Sequence, residues 1–203
     1  MPADRDVGAF DERAPGYDQG WLGRLHHDIA ERTARLALAP GPSPPRRILD
    51  VGCGTGYLLG LLADRCPAAP LLCGVDPAPA MVGTARARAG GGDRRIEFAL
   101  GVAESLPYGD GAFDLVVSTT SFDHWSDQAA GLAECARVLE PGGRLVLVDL
   151  FTWFLLPTLV AGHRGKARTR ARAGRLLSEA GFRSVEWHAL YRLVLKAATA
   201  TRS

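Results

Sequence analysis

The chain has 203 residues, 47% of them hydrophobic, enough to bury one substantial core and no more. Its 24 basic and 22 acidic residues leave a formal charge of +2, which excludes a global field for gathering nucleic acid or anionic lipid. The four cysteines, at 53, 66, 73 and 135, form no C-x-x-C pair and have no His at metal-ligand spacing, so neither a disulfide framework nor a metal is expected, and a reducing cytoplasm is the expected location.

The opening "MPADRDVGAF" holds no apolar signal segment, and the longest apolar stretch, "FTWFLLPTLVAG" from 151, is too short to span a bilayer and carries Pro157. A soluble protein with no membrane partner is expected. Residues 18–39 place Trp21, Leu22, Leu25, Ile29 and Leu36 mostly at helical spacing, Trp21 being assigned to the core, and Pro40 ends the run; this predicts an amphipathic helix. "PGPSPP" at 40–45 is a stiff connector. Strands and helices then alternate: strand 47–51, helix 56–65, strand 71–76, helix 79–89, strands 95–100 and 113–119, helix 127–139, strand 144–150. That alternation predicts an α/β domain with a parallel sheet, and the near-continuous apolar runs "ILDV", "LLCGV" and "LVLV" predict strands covered on both faces. Gly90-Gly91-Gly92 follows one helix, Ser126 can cap another, and Pro141-Gly142-Gly143 is read as a turn into the next strand. From Phe182, "SVEWHALYRLVLKA" alternates as antiparallel strands at a sheet edge do.

Directly after the first strand and before a helix, glycines fall at 52, 54 and 56. A dinucleotide loop needs G-x-G-x-x-G, whose third position here is Tyr57. The fit to NAD is poor, and a ligand without pyrophosphate suits better. S-adenosylmethionine (SAM) is one, its methionine portion lying across the loop with its carboxylate facing the helix N-terminus. Asp76 ends the next strand, where a carboxylate can accept both hydroxyls of a ribose; the alternative is that Asp50 and Asp76 are ordinary helix-entry acids around a plain turn.

Four stretches in order, "ILDVGCGTG", "VDPAPAM", "AESLPYGDGAFDLVVS" and "ARVLEPGGRLVLVDLF", resemble the successive motifs of class I SAM-dependent methyltransferases of the small-molecule, type 11-like kind. The resemblance covers about residues 10 to 150. It implies a Rossmann-like three-layer sandwich with a seven-stranded, mostly parallel sheet whose last strand is antiparallel. It also implies SAM as cofactor, with S-adenosylhomocysteine (SAH) as product, bound at the strands' C-terminal ends. Carried over by motif, Asp50, Gly52 and Gly54 hold the methionine end with Cys53 as a small filler in the loop, Asp76 the ribose, Pro77 and Met81 the adenine face, and Ala103 with Glu104 the adenine edge; Ser118 ends the fourth strand beside them. Relatives often carry Asp where this chain has Val102. One domain is implied, with residues 1–45 as a helical cap, 46–150 as the SAM-binding core, 151–175 as an acceptor-pocket or lid segment, and 176–203 as a helix end and edge strands.

The segment after the fourth strand, "STTSFDHWSD" from 118, is expected to face the transferable methyl. His124 there is the candidate general base, or else a residue that packs or caps the next helix, and Trp125 beside it is a candidate acceptor contact. "RAPGYDQGW" resembles a capping segment that would lay Tyr17 over the methionine end; otherwise Tyr17 anchors the core edge. "FTWFLLPTLV", with Phe151, Trp153 and Phe154, is a candidate acceptor wall, a buried helix, or both. The Arg-rich run at 163–175 is a solvated helix face or a site for RNA or an acidic acceptor. Three whole readings result: a small-molecule methyltransferase, monomeric or homodimeric and without nucleic-acid partner; an RNA methyltransferase using the basic run; and a non-catalytic SAM or SAH binder. "STTS" stands where base-amine enzymes carry [N/D]-P-P-[Y/F], which speaks against one branch of the second.

Overall fold

A computed structural model describes residues 3–39, 43–90, 93–151, 169–191 and 195–203. Chain order is α1 (Ala3–Arg13), a short 3₁₀ turn (Ala14–Gly16), α2 (Gly20–Ala37), β1 (Arg47–Val51), α3 (Tyr57–Arg65), β2 (Leu71–Asp76), α4 (Pro79–Ala89), β3 (Ile96–Leu100) and β4 (Phe113–Thr119). A second 3₁₀ turn (Phe122–His124) precedes α5 (Gln128–Val138) and β5 (Leu139–Asp149), and α6 (Arg170–Glu179), β6 (Phe182–Ala189) and β7 (Lys196–Arg202) complete the described elements.

The seven strands form one sheet in the order β3-β2-β1-β4-β5-β7-β6. Every neighbouring pair from β3 to β5 is parallel, and β7 lies antiparallel to both β5 and β6. Six strands therefore run one way and the last is reversed, as expected. Because strand side chains alternate in direction, β1 sends Ile48 to one layer and Leu49 and Val51 to the other. Ile48 joins Ile29, Ala34, Leu59, Leu62 and Val146 under α2 and α3. Leu49 joins Val116, Leu132, Leu145 and Leu177 under α5 and α6. Burial on both sides is why these strands read as unbroken apolar runs.

Three expectations are corrected. Asp127, not Ser126, caps α5, its carboxylate accepting from the Ala129 and Ala130 amides at 3.0 and 3.1 Å. Leu139 already pairs with Phe113 in β5, so Pro141-Gly142-Gly143 lies within a bulged strand and is not a turn that separates elements. The expected antiparallel strands are found at that side of the sheet: β6 forms its edge and β7, "KAATATR", lies between β5 and β6 and buries Ala197, Ala198 and Ala200. Trp21 is 70% exposed instead of joining the core, because it starts α2 on the side away from Ile29, Ala30 and Ala34.

The chain runs outward from β1 to β3 and returns to β4 on β1's other side, so the strand order reverses at β1/β4. A crevice opens at such a point beyond the strands' carboxyl ends.

Candidate functional site

The loop after β1 is built around backbone that only glycine adopts easily. Gly52 has φ +74°, and a Cβ there would stand 2.4 Å from Cβ of Ser121. Gly54 has φ +52° and open space where its Cβ would be. The Gly52 and Cys53 amides donate to the Val75 carbonyl at 2.8 and 3.1 Å. Asp76 completes the link, its two oxygens accepting from the amides of Gly54 and Ala78, each at 2.9 Å. Burial pushes the Asp76 carboxyl up, while those two amides pull it back. A carboxylate offers about four lone-pair sites, so bonding capacity remains toward the cavity that Asp76 lines.

That cavity, of about 110 Å³, is lined by Gly52, Gly54, Asp76, Pro77, Met81, Ala103 and Glu104 together with His124 and Trp125. Val7, Phe10 and Tyr17 close it from the N-terminal segment. α1 is tied down there by Asp11, whose carboxylate accepts from the Ala80 amide at 2.8 Å. Phe10 meets the His124 ring edge-on at 5.0 Å. A second cavity, of about 70 Å³, shares Tyr17, Gly52 and Gly54 with the first and adds Asp18, His26, His27, Asp50, Cys53 and Tyr57.

Asp50 is 2% exposed, and among the described residues no donor reaches its carboxylate. Burial, with the Asp76 charge adding, pushes it up to about 8. Opposite it, Asp18 bonds His27 Nε2 at 3.0 Å and pairs with Arg88. Burial works to raise the Asp18 carboxyl but is outweighed by His27, Thr55 and Arg88, so it sits low. His27 stacks on Tyr57 at 3.8 Å, and Tyr17 stacks on His26 at 4.6 Å. Burial lifts the Tyr17 hydroxyl to about 12 and the Cys53 thiol well above its ordinary value, which leaves Cys53 a filler with little thiolate character.

Most of the expected residues thus meet around two cavities that share lining residues, and Ser118 and Phe151 do not. Ser118 is fully buried under the floor, where its hydroxyl bonds Ser121 Oγ at 2.8 Å. Phe151 is 1% exposed and packed between Phe122 and Trp187, so it is core and not wall; the bulky rings of β6 and the 3₁₀ turn cover the end of β5. Trp153 and Phe154, with most of the expected acceptor segment, lie outside the described residues. Glu104 lines the cavity while accepting from the Asp127 amide at 2.9 Å, a fold anchor as well as an edge group. Asp18, His26, His27 and Phe10 were not singled out from sequence, because their neighbours come from distant segments; the only signal was the aromatic and His content beside Tyr17. Asp149, buried at the end of β5, was also missed: it accepts from the Leu150 and Asp123 amides at 2.6 and 3.1 Å and so holds the turn that carries His124.

The geometry fits a cofactor with a cationic amino-acid end and a nucleoside. It offers an unpaired buried carboxylate in one cavity, an open glycine cradle between the two, and a second carboxylate with apolar Met81 and Pro77 in the other. Residues 49–147 match the family described as "Methyltransferase domain". Malonyl-[acyl-carrier protein] O-methyltransferase of Geobacter sulfurreducens is 38% identical over 192 residues, covering 88% of this chain and 70% of that protein. Demethylmenaquinone methyltransferase of Deinococcus radiodurans is 42% identical over 134 residues, 66% of this chain, which spans only 51% of that relative's length. In fold, the chain matches one from the solved complex of the Haloferax volcanii Trm112 methyltransferase activator with a methyltransferase, at TM-score 0.77 and 23% identity, covering 95% of this chain and 96% of that one. Given the identity to the Geobacter protein over 70% of its length, this chain belongs to the class I SAM-dependent methyltransferases.

Proposed function

We propose that this chain catalyses methyl transfer from SAM to a small organic acceptor, with SAM lying along the two joined cavities. The observation that carries the reading is the pairing of Asp50 and Asp76 at the ends of adjacent strands, across an open glycine cradle, with His124 lining the same cavity as Asp76. When bound, SAM supplies an electrophilic methyl on a sulfonium. Asp50 takes the ammonium, Asp76 accepts the ribose hydroxyls, and Pro77, Met81 and Ala103 pack on the adenine, with Glu104 at its edge. Tyr17 lies over the methionine end. Cys53 fills the loop, and Ser118 supports the floor through Ser121. His124 is placed to hold the acceptor's proton, and Phe10 with Trp125 would keep water from the acceptor side of the cavity. In this division residues 1–45 form a cap, 46–150 hold the cofactor, 151–175 complete the acceptor side and 176–203 close the sheet.

The apolar Val7, Phe10 and Trp125 beside His124 favour an apolar or aromatic acceptor bearing an ionisable hydroxyl or carbon acid. Methyltransferases named for demethylmenaquinone and for malonyl-acyl-carrier protein among the relatives agree with small-molecule chemistry. RNA gains no support from them. The described part of the basic run, α6, buries Ala173 and Leu177 and turns Arg170, Arg172 and Arg175 to solvent, as an ordinary amphipathic helix does. No helix among the described residues is long and apolar enough to cross a membrane. A cytoplasmic setting and a monomer or homodimer remain part of the proposal. The test is SAM turnover with quinols, phenols, apolar acids and generic RNA, at low and physiological salt. Methylation of a small acceptor with weak salt dependence is expected. Methylation of RNA alone, with binding that falls steeply with salt, would overturn the reading; SAH binding without turnover on any acceptor would make the chain a binder.

A further inference from the structure

The smaller cavity holds more ionisable groups than the methionine end of a cofactor needs, and they divide cleanly. Asp18 and His27 are bonded to each other at 3.0 Å, and Arg88 adds a second partner to Asp18. Tyr57 is stacked on His27, and Cys53 is a buried thiol. Two groups are left over, one acid and one base. Asp50 receives no donor among the described residues. His26 lines the same cavity, its Nδ1 is buried with no hydrogen-bond partner among the described residues, and its ring stacks on Tyr17, 4.6 Å away at 20°. No ion pair joins the two to each other. A buried ring nitrogen left unsatisfied costs a fold stability and calls for an explanation, the more so beside a carboxylate that receives no donor.

We propose that His26 and Asp50 are a matched receptor for the zwitterionic end of the cofactor: Asp50 loses its proton to face the ammonium, and His26 gains one to face the carboxylate. This rests on SAM occupying the site. The proton balance is closed, since one leaves a carboxyl and one joins an imidazole, and the site gains one charge of each sign opposite the ligand's own. The surroundings suit the exchange. Burial, then Asp76, holds the Asp50 carboxyl up near 8, with the Cys53 thiol its other titratable neighbour. Burial holds His26 below its ordinary value, opposed by Asp18 and reinforced by His27, with Tyr17 uncharged against its face. Near pH 7 the empty site therefore carries neither charge, and neither is desolvated until the ligand supplies its counter-charge.

The test is titration calorimetry of SAH at pH 7 in buffers of different ionisation enthalpy, which counts protons exchanged on binding. Wild-type protein is expected to exchange close to none. His26→Gln is expected to release roughly one proton per SAH and Asp50→Asn to take up roughly one, because only one half of the exchange survives in each. The affinity of His26→Gln should fall about ten- to hundredfold, the worth of a charged hydrogen bond. Should that fall leave too little heat, ring resonances of labelled wild-type histidines report directly, one imidazole moving to its protonated position as SAH is added. A His26→Gln protein that exchanges the same number of protons as wild type, or a His26 ring that stays neutral with SAH bound, overturns the proposal. Absence of SAH binding by the wild-type protein would instead refute the occupancy on which it rests.

Discussion

Replacing Asp50 by Asn should make the empty protein more stable and the cofactor bind worse. Asp50 is 2% exposed with no donor to its carboxylate among the described residues, and burial with the Asp76 charge raises it from 3.8 to about 8. A group whose folded value lies above its unfolded one contributes fully below the unfolded value, and that contribution is lost as pH rises through the folded one. The window here is about pH 4 to 8. Each unit of separation between the two values is worth about 1.4 kcal/mol, so by pH 8 the charged-form penalty has reached a few kcal/mol. Asn keeps the shape and never ionises, though its amide hydrogens inherit the missing partners, which returns part of the gain. A net gain of about 2 kcal/mol at pH 8 would raise Tm by roughly 4–8 °C for a chain of this size. The assay is thermal unfolding of ligand-free wild type and Asp50→Asn from pH 5 to 9. The difference should be smallest at pH 5 and grow toward pH 8. A variant that is less stable at pH 8, or whose advantage does not change with pH, would show that the Asp50 carboxylate is already compensated and that the reasoning is wrong.

Gly52→Ala places a Cβ 2.4 Å from Ser121 at φ +74° and should cost about 2 kcal/mol or more with loss of SAH binding, read by Tm and calorimetry. Asp76→Ala strands the Gly54 and Ala78 amides; SAH affinity should fall by at least about tenfold, and a change under threefold would remove Asp76 from the ribose role. His124→Ala should lower kcat with the true acceptor while leaving SAH affinity within about threefold; a full kcat across pH would make the residue structural.

Strands β1, β2, β4 and the core of β5 could be read from the chain because burial on both faces leaves apolar runs with little ambiguity. β7 could not: Ala is a weak strand former, and Ala197, Ala198 and Ala200 of "KAATATR" take their place in the sheet by packing into the two neighbouring layers. The glycine loop and its two acids were visible because local spacing carries them. The Asp18–His27–Arg88 cluster was not, since its members come from the segment before α2, from α2 itself and from α4, and only tertiary packing brings them beside Tyr57. Phe151 was misplaced for a related reason: an aromatic at a strand end reads as a pocket wall until the rings that cover it, Phe122 and Trp187, are located.

Calorimetric titration of the wild-type protein with SAH and, separately, with NAD bears on whether the joined cavities form a SAM site. Asp50, the open cradle at Gly54 and Asp76 should give saturable one-to-one binding of SAH, while Tyr57 in place of the third dinucleotide glycine should leave NAD without measurable heat. Saturable binding of NAD, or no binding of SAH, would contradict the account.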